Sequence, residues 1–398
     1  MIKKVRASDV RLGMYIHEIK GNWLEHPFWR KSFKLEQQKD LDKLLDSKLT
    51  EIWIDTSKGL DVEETKRVDA VVNQVAAEPK RPVKKPVKTV SLEQELAVAK
   101  KLHSKTKAAV VSMFGDARMG KAIEVEEASV MVDEINQSVE RNSNALLSLI
   151  RLKTATEYTY LHSVAVCILM IAVGKQLGLQ GEELKQAGMA GLLHDIGKME
   201  VPDEILDKPG KLTDEEFDIM KSHPQRGWEL LKSCDGIHET ALDVCLHHHE
   251  RVDGKGYPEK LSGDALTLFA RMGAVCDVYD AISSDRCYKK AWSPAESIHK
   301  MASWREGHFD EKVFQAFVKT IGIYPNGTLV KLKSGRLGVV MEQSKKSLTA
   351  PVVKVFFSMK ANAHLPAEII DLSKGVDSIE KPEDPVKWNF DLDRIQGV

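Results

Sequence analysis

Residues 187–198 read AGMAGLLHDIGK, an apolar run that delivers a histidine and an aspartate side by side before a glycine and a lysine. On a helix this places an imidazole and a carboxylate, His194 and Asp195, at the edge of a buried face, with Lys198 one turn beyond Asp195. A neighbouring His-Asp pair arises by chance in many chains. It constrains this one because further histidines and carboxylates, between His162 and Asp277, each end or interrupt an otherwise apolar helical segment.

Those segments make residues 153–325 a helical domain. HSVAVCILMIAVGKQLGL, LKQAGMAGLLHDIGK, TDEEFDIMKSHPQRGWELL, HETALDVCLHHH and LTLFARMGAVCDVYDAISS all have helical length or period, with no convincing strand among them. Two are apolar on more than one side, as central helices in a sizeable core are. Ahead of them, residues 91–152 read as a helical connector. Ser91-Leu-Glu-Gln94 is a capping box for a helix to about Phe114, Gly115 and Gly120 mark a break, and a second helix runs from Glu124 to about Leu152. That helix carries Val130, Ile135, Val139, Leu146, Leu147 and Ile150 at helical spacing. The pair either joins two copies as a homodimer or covers the catalytic core.

Residues 1–77 read as a small α+β domain, with strands at Val10–Ile19 and Leu49–Asp55 and helical spacing over Phe33–Leu45. Trp23, Pro27 and Phe28 form either a packed aromatic loop or a ligand lip, and His17 and His26 have no convincing partner. A linker, residues 78–90, follows; its first eleven positions hold three prolines and five basic residues, an extended and solvated composition. Residues 326–398 read as a short β appendix with strands at Gly327–Leu332, Leu337–Met341 and Pro351–Phe357, closing in a polar tail.

Seven side chains in the helical domain are metal-type donors: His162, His194, Asp195, His223, His248, His249 and Asp277, with Glu250 as a spare. Imidazole nitrogens and carboxylate oxygens without thiolates suit Fe, Mn, Co, Ni or Zn. Seven donors exceed one ion and fit two with a bridging carboxylate, an arrangement that serves phosphoester hydrolysis. Each position has a plainer reading, as a hydrogen-bonded core histidine at 162 or a cap at 223. Adjacent imidazoles in an interior are costly unless something binds them, however, and so is an unpaired Asp277 in an apolar helix. His247 points about 100° from His248 on a helix and is the non-ligand of its run. Asp280, one turn after Asp277, suits a hydrogen bond to a ligand or a neighbouring helix. Lys198, Arg251, Arg286 and Lys290 are candidate partners for phosphate groups. Gly256-Tyr257-Pro258 lies in a glycine-rich loop that lets backbone approach a ligand, without the context of a nucleotide-triphosphate loop.

A net charge of -1 argues against a general binder of DNA, RNA or anionic membrane. The five cysteines, an odd number without short repeats, read as free thiols of a reducing compartment. No stretch reads as a membrane span, so a cytoplasmic protein is expected.

In order, HDIGK, HPQRGWELL, HHHERVDGKGYP and DVYDAISSDRCYKKA resemble the HD-GYP family of cyclic-dinucleotide phosphodiesterases, over roughly residues 150–325. The N-terminal stretch VRLGMYIHEIKGNWLEHPFW is similar to the small domain of unassigned role that often precedes them. The resemblance implies a mainly α fold, with a helical HD-type catalytic domain between the α+β domain and the β appendix. It implies two divalent metal ions, Fe or Mn preferred. Asp195 would bridge them, His194, His162 and Asp277 would complete one site, and His223, His248 and His249 the other. Lys198 would contact the scissile phosphate, and Arg286 and Lys290 would hold the dinucleotide's phosphates or guanine. Tyr158 stands where some members place a third-metal glutamate, and Glu157 would face elsewhere, so two ions are expected. The implied reaction is hydrolysis of cyclic di-GMP to linear pGpG, with or without a second cut to GMP, by a hydroxide shared between the ions. A 3′,3′-cyclic GMP-AMP phosphodiesterase and a non-hydrolysing cyclic-dinucleotide sensor are the alternatives.

Overall fold

The computed structural model describes residues 2–10, 12–18, 32–35, 38–45, 51–59, 89–150, 158–284, 291–344 and 346–397. Linker residues 78–88, Trp23, His26, Pro27, Phe28, Glu157, Arg286 and Lys290 lie outside the described residues. The chain divides into two compact units, residues 1–85 and 86–398.

The first unit is an antiparallel sheet in the order β1 (Ile2–Arg6), β4 (Glu51–Asp55), β2 (Tyr15–Glu18), β3 (Phe33–Lys34), with one helix, α1 (Gln38–Leu45). Alternation in EIWID turns Ile52 and Ile54 inward onto Val5, Met14, Ile16, Leu35 and Leu44. Three expectations change here. The strand expected from Val10 begins only at Tyr15, after Gly13 takes a φ of 88°. The helix expected from Phe33 begins at Gln38, because Phe33 pairs with Ile16 in the sheet. Strand β1, with two lysines and only Val5 fully buried, carried too weak an alternation to be read.

In the second unit, α2 (Leu92–Arg118) opens on the Ser91–Gln94 capping box and passes through Gly115 to end at Met119. The break expected at Gly115 therefore falls at Gly120, whose φ is 72°. Helix α3 (Val125–Leu149) bends where Asn142 leaves helical geometry, at φ -163° and ψ 100°. The Asn142 amide donates to Val90 O at 3.1 Å and its carbonyl accepts from Asn144 N at 3.1 Å, replacing lost helical bonds. Both helices pack on the catalytic core; Val130, expected on the apolar face, is 55% exposed.

At the centre runs α4 (Tyr158–Leu177), in which every residue from Leu161 to Gly174 is buried. Its length and apolarity match a membrane-crossing helix, contrary to the sequence reading, but 78% of its apolar window is buried inside the fold. Around it lie α5 (Glu182–Leu193), α6 (Asp214–Met220), α7 (His223–Lys232), α8 (Glu239–His247), α9 (Leu268–Ser283), α10 (Pro294–His308) and α11 (Glu311–Ile321). Cys167, Cys245 and Cys276 are buried free thiols in this core.

The C-terminal sheet is antiparallel, in the order β8 (Ala363–Asp371), β7 (Val352–Ser358), β6 (Arg336–Glu342), β5 (Leu329–Leu332), β9 (Ile379–Pro382). Two strands, β8 and β9, are additional to the three expected, since their largely exposed residues lack an apolar alternation. The tail is not simply polar. Its short helices α12 (Pro385–Trp388) and α13 (Leu392–Gln396) bring Trp388, Phe390, Leu392 and Ile395 onto the sheet face formed by Leu329, Leu337, Val339, Phe356 and Phe357.

Candidate metal centre

Helix α5 stops at Leu193, so His194 caps it and Asp195 stands outside it, at φ -104° and ψ 9°. The chain then tightens into a 3-10 turn, Ile196–Glu200, and Lys198 follows Asp195 by one such turn. This bend turns both Asp195 oxygens into the interior. Gly197 makes it possible, since a Cβ there would overlap the His223 carbonyl and the Gly227 amide. Gly191 lets α5 lie against α4, where a Cβ would come 2.9 Å from Cys167 Cα.

Two groups of donors flank Asp195. On the Oδ2 side, His162 Nε2 lies 3.3 Å and His194 Nε2 3.4 Å away, and Asp277 Oδ1 is 3.0 Å from His162 Nε2. On the Oδ1 side, His223 Nε2 lies 3.2 Å and His248 Nε2 3.6 Å away. His249 Nδ1 approaches Asp277 Oδ2 at 3.7 Å. His162, His194 and Asp277 form one compact donor group, His223, His248 and His249 a second, and His194, Asp195 and His248 join them. Thus all seven donors singled out from the sequence come together, carried by α4, α5, α7, α8 with its following turn, and α9.

Hydrogen bonds fix which imidazole nitrogen faces inward. Nδ1 of His194 lies 2.8 Å from Gly191 O, Nδ1 of His223 2.7 Å from Met220 O, and Nδ1 of His248 3.0 Å from Cys245 O. A carbonyl only accepts, so each Nδ1 carries the proton and each Nε2 lone pair is free to face the cluster. Asp280 Oδ2 holds His162 Nδ1 in the same way at 2.6 Å. His247 turns away from the cluster, to Asp243 at 2.8 Å and Glu259 at 3.3 Å.

Electrostatics match the geometry. Burial pushes the Asp195 carboxyl up, but Lys198 and His194 outweigh it and hold Asp195 well below the ordinary carboxylate value. Burial likewise raises Asp277, and His162 and His249 bring it well below. Burial holds His248 and His249 neutral, His249 at about 3, while Asp195 opposes the shift at His248 and Asp277 at His249. At His162 burial is overcome by Asp195, Asp277 and Asp280, which raise it to about 10. Three carboxylates converging on one imidazole are a surplus of negative charge that a cation would neutralise. Buried Asp195 Oδ1 makes no hydrogen bond of acceptable geometry although histidine nitrogens surround it. A carboxylate oxygen without a hydrogen bond, facing the Nε2 atoms of His223 and His248 while backbone carbonyls hold their Nδ1 protons, fits divalent metal ions.

The candidate substrate residues are placed differently. Lys198 Nζ bonds Asp195 Oδ2 at 2.5 Å, its side chain 17% exposed at the rim. Arg251 forks onto Asp253 at 2.8 and 3.1 Å. The Tyr257 ring stacks on His249, centroids 4.7 Å apart and planes at 27°. Gly256 is required where it stands, since a Cβ would overlap the Glu250 backbone. Glu250, considered as a spare ligand, belongs to none of the donor groups. Its Oε1 accepts the Glu259 amide at 2.6 Å. Tyr158, at the position where the resemblance allowed a further carboxylate, stacks its ring on His162 with centroids 5.4 Å apart. Sequence reasoning missed Asp243, which ties His247 to Thr267, the N-cap of α9. An acidic residue four before a histidine is the one signal that could have found it.

A helical core closing on seven nitrogen and carboxylate donors defines a metal-dependent hydrolase of the HD class, and residues 144–313 match the family model described as HD domain. Residues 2–128 match a domain of unknown function, DUF3391. The chain is 54% identical over 393 residues to cyclic di-GMP phosphodiesterase PA4108 of Pseudomonas aeruginosa, covering 98% of this chain and 94% of that protein. It is 45% identical over 149 residues to the cyclic di-GMP phosphodiesterase response regulator RpfG of Xanthomonas campestris, covering 37% of this chain and 39% of that one. A 3′3′-cGAMP-specific phosphodiesterase 2 of Vibrio cholerae is 36% identical over 36% of this chain and 27% of its own. This chain belongs to the HD-GYP family of cyclic di-GMP phosphodiesterases.

Proposed function

We propose that this protein hydrolyses cyclic di-GMP to linear pGpG at a centre of two divalent ions, iron or manganese. The observation that carries the proposal is the division of Asp195, one oxygen toward His162 and His194 and the other toward His223 and His248. A single carboxylate so placed would hold two cations side by side, with Asp277 dividing its oxygens between His162 and His249. Divalent ions held by these residues would supply Lewis acidity toward the phosphoryl oxygens and activation of water at neutral pH. The chain's own residues do the rest. Lys198, at the rim beside Asp195, neutralises charge that grows on the phosphoryl oxygens. Tyr257 offers an aromatic surface for a purine where His249 leaves the cluster half-open. Buried free thiols accord with a reducing, cytoplasmic setting.

The test is product chromatography under anaerobic conditions with metal-quantified protein. Cyclic di-GMP and 3′,3′-cyclic GMP-AMP are supplied separately, with Asp195→Ala as control. A pGpG or GMP peak is expected from cyclic di-GMP with the native chain and none with Asp195→Ala. Faster cleavage of the mixed dinucleotide would reassign the substrate. Two bound ions without cleavage of either would sink the proposal and leave a sensor.

A further inference from the structure

Glu250 follows the last histidine of the cluster, is 2% exposed, and takes no part in the donor groups. A buried carboxylate is costly to keep unless it holds something. Its Oε1 accepts the backbone N–H of Glu259 at 2.6 Å, nine residues on, while Oε2 is buried without a hydrogen-bond partner. The bond closes the stretch that carries Gly256, Tyr257 and Pro258. Inside that closed stretch the Tyr257 amide donates to His249 O at 3.3 Å, and Gly256 lies against the Glu250 backbone with no room for a Cβ. From outside, His247 Nε2 lies 3.3 Å from the Glu259 carboxylate, and its Nδ1 lies 2.8 Å from Asp243, which accepts from Thr267 Oγ1 at 2.5 Å. Glu259 is thus tied twice, through its amide to Glu250 and through its side chain to His247.

We infer that Glu250 is a positioning residue, which holds the Tyr257 ring against His249 by clasping the far end of the loop, with His247 as a second, weaker tie. The inference rests on the proposed function for its kinetic consequence, since Tyr257 meets substrate only if the centre takes a cyclic dinucleotide. The clasp itself does not depend on that reading. Glutamine at 250 keeps an acceptor for the Glu259 amide. Alanine removes it. Loss of a charge-assisted bond worth this much to loop order should raise KM about tenfold or more. The metal donors do not involve Glu250, so kcat and metal content should hold.

The experiment compares native protein with Glu250→Gln, Glu250→Ala and His247→Ala. It reads metal stoichiometry, kcat and KM for cyclic di-GMP, and backbone hydrogen exchange across residues 254–262. Expected are faster exchange and a raised KM in Glu250→Ala, native-like values in Glu250→Gln, and a smaller change of the same sense in His247→Ala. Loss of metal in Glu250→Ala would make Glu250 a ligand and overturn the inference. So would Glu250→Gln behaving like Glu250→Ala, or exchange unchanged in all three variants. If native protein cleaves no cyclic dinucleotide, the proposed function fails while the exchange result still decides the clasp.

Discussion

Asp280 is the residue on which the orientation of His162 depends. It lies 118 positions from His162 in the chain, yet its carboxylate accepts a hydrogen bond from Nδ1 at 2.6 Å and so turns Nε2 toward Asp195 and Asp277. Such partners typically change metal affinity by roughly 10–100-fold. Asp280→Asn should therefore weaken metal binding by about that factor while leaving the fold intact, and competition with a chelator checks it. Unaltered affinity would mean that packing against Tyr158 alone aligns the ring. The sequence marked Asp280 for a hydrogen bond by its position one turn after Asp277. It could not name the recipient.

Among the elements, the pairing of α2 and α3 depends on one buried ion pair. Glu95, 1% exposed on α2, accepts from Ser138 Oγ at 2.7 Å and from Arg141 at 2.7 and 2.8 Å, both on α3. Removing one partner of such a pair leaves a buried charge uncompensated, at a cost of about 3 kcal/mol or more. Arg141→Met should lower the melting temperature by several degrees, and adding Glu95→Leu should recover much of the loss. A double variant no more stable than Arg141→Met would contradict this. The capping box that starts α2 was plain in the sequence, and so was the apolar stripe of α3. Their polar tie was not, because Glu95 and Arg141 read individually as surface charges.

For the molecule as a whole, two surfaces are completed from a distance. Residues 385–397 cover the sheet face of Phe356 and Phe357, with Lys354 Nζ donating to Ile395 O at 2.6 Å and Gln396 donating to Val340 O at 3.1 Å. A chain ending at Glu383 should expose this face, bind a hydrophobic dye and self-associate, measurable by fluorescence and light scattering. Unchanged dye binding would mean that the tail is dispensable. The second surface is the donor cluster, drawn from five helical segments. A ligand held only by the folded state stabilises it by mass action. Chelation should therefore lower the melting temperature of the native chain but leave Asp195→Ala nearly unmoved, a contrast read by calorimetry.

The donor cluster was legible in the chain because most of its members sit in short local patterns: His194 with Asp195, the run 247–249, Asp277 in an apolar helix. Helical periodicity likewise revealed the core, since a helix buried on all sides must be apolar on all sides, as α4 is. What the linear pattern could not decide was every relation set by packing. Only the folded chain assigns Asp195 Oδ1 to His223 and His248 and Oδ2 to His162 and His194. It alone turns Glu250 from the cluster to the Glu259 amide, and adds β8 and β9 to a sheet whose edges carry no apolar alternation. Side-chain direction at a helix end and pairing at a sheet edge follow from the neighbours that close around them, and those neighbours come from far along the chain.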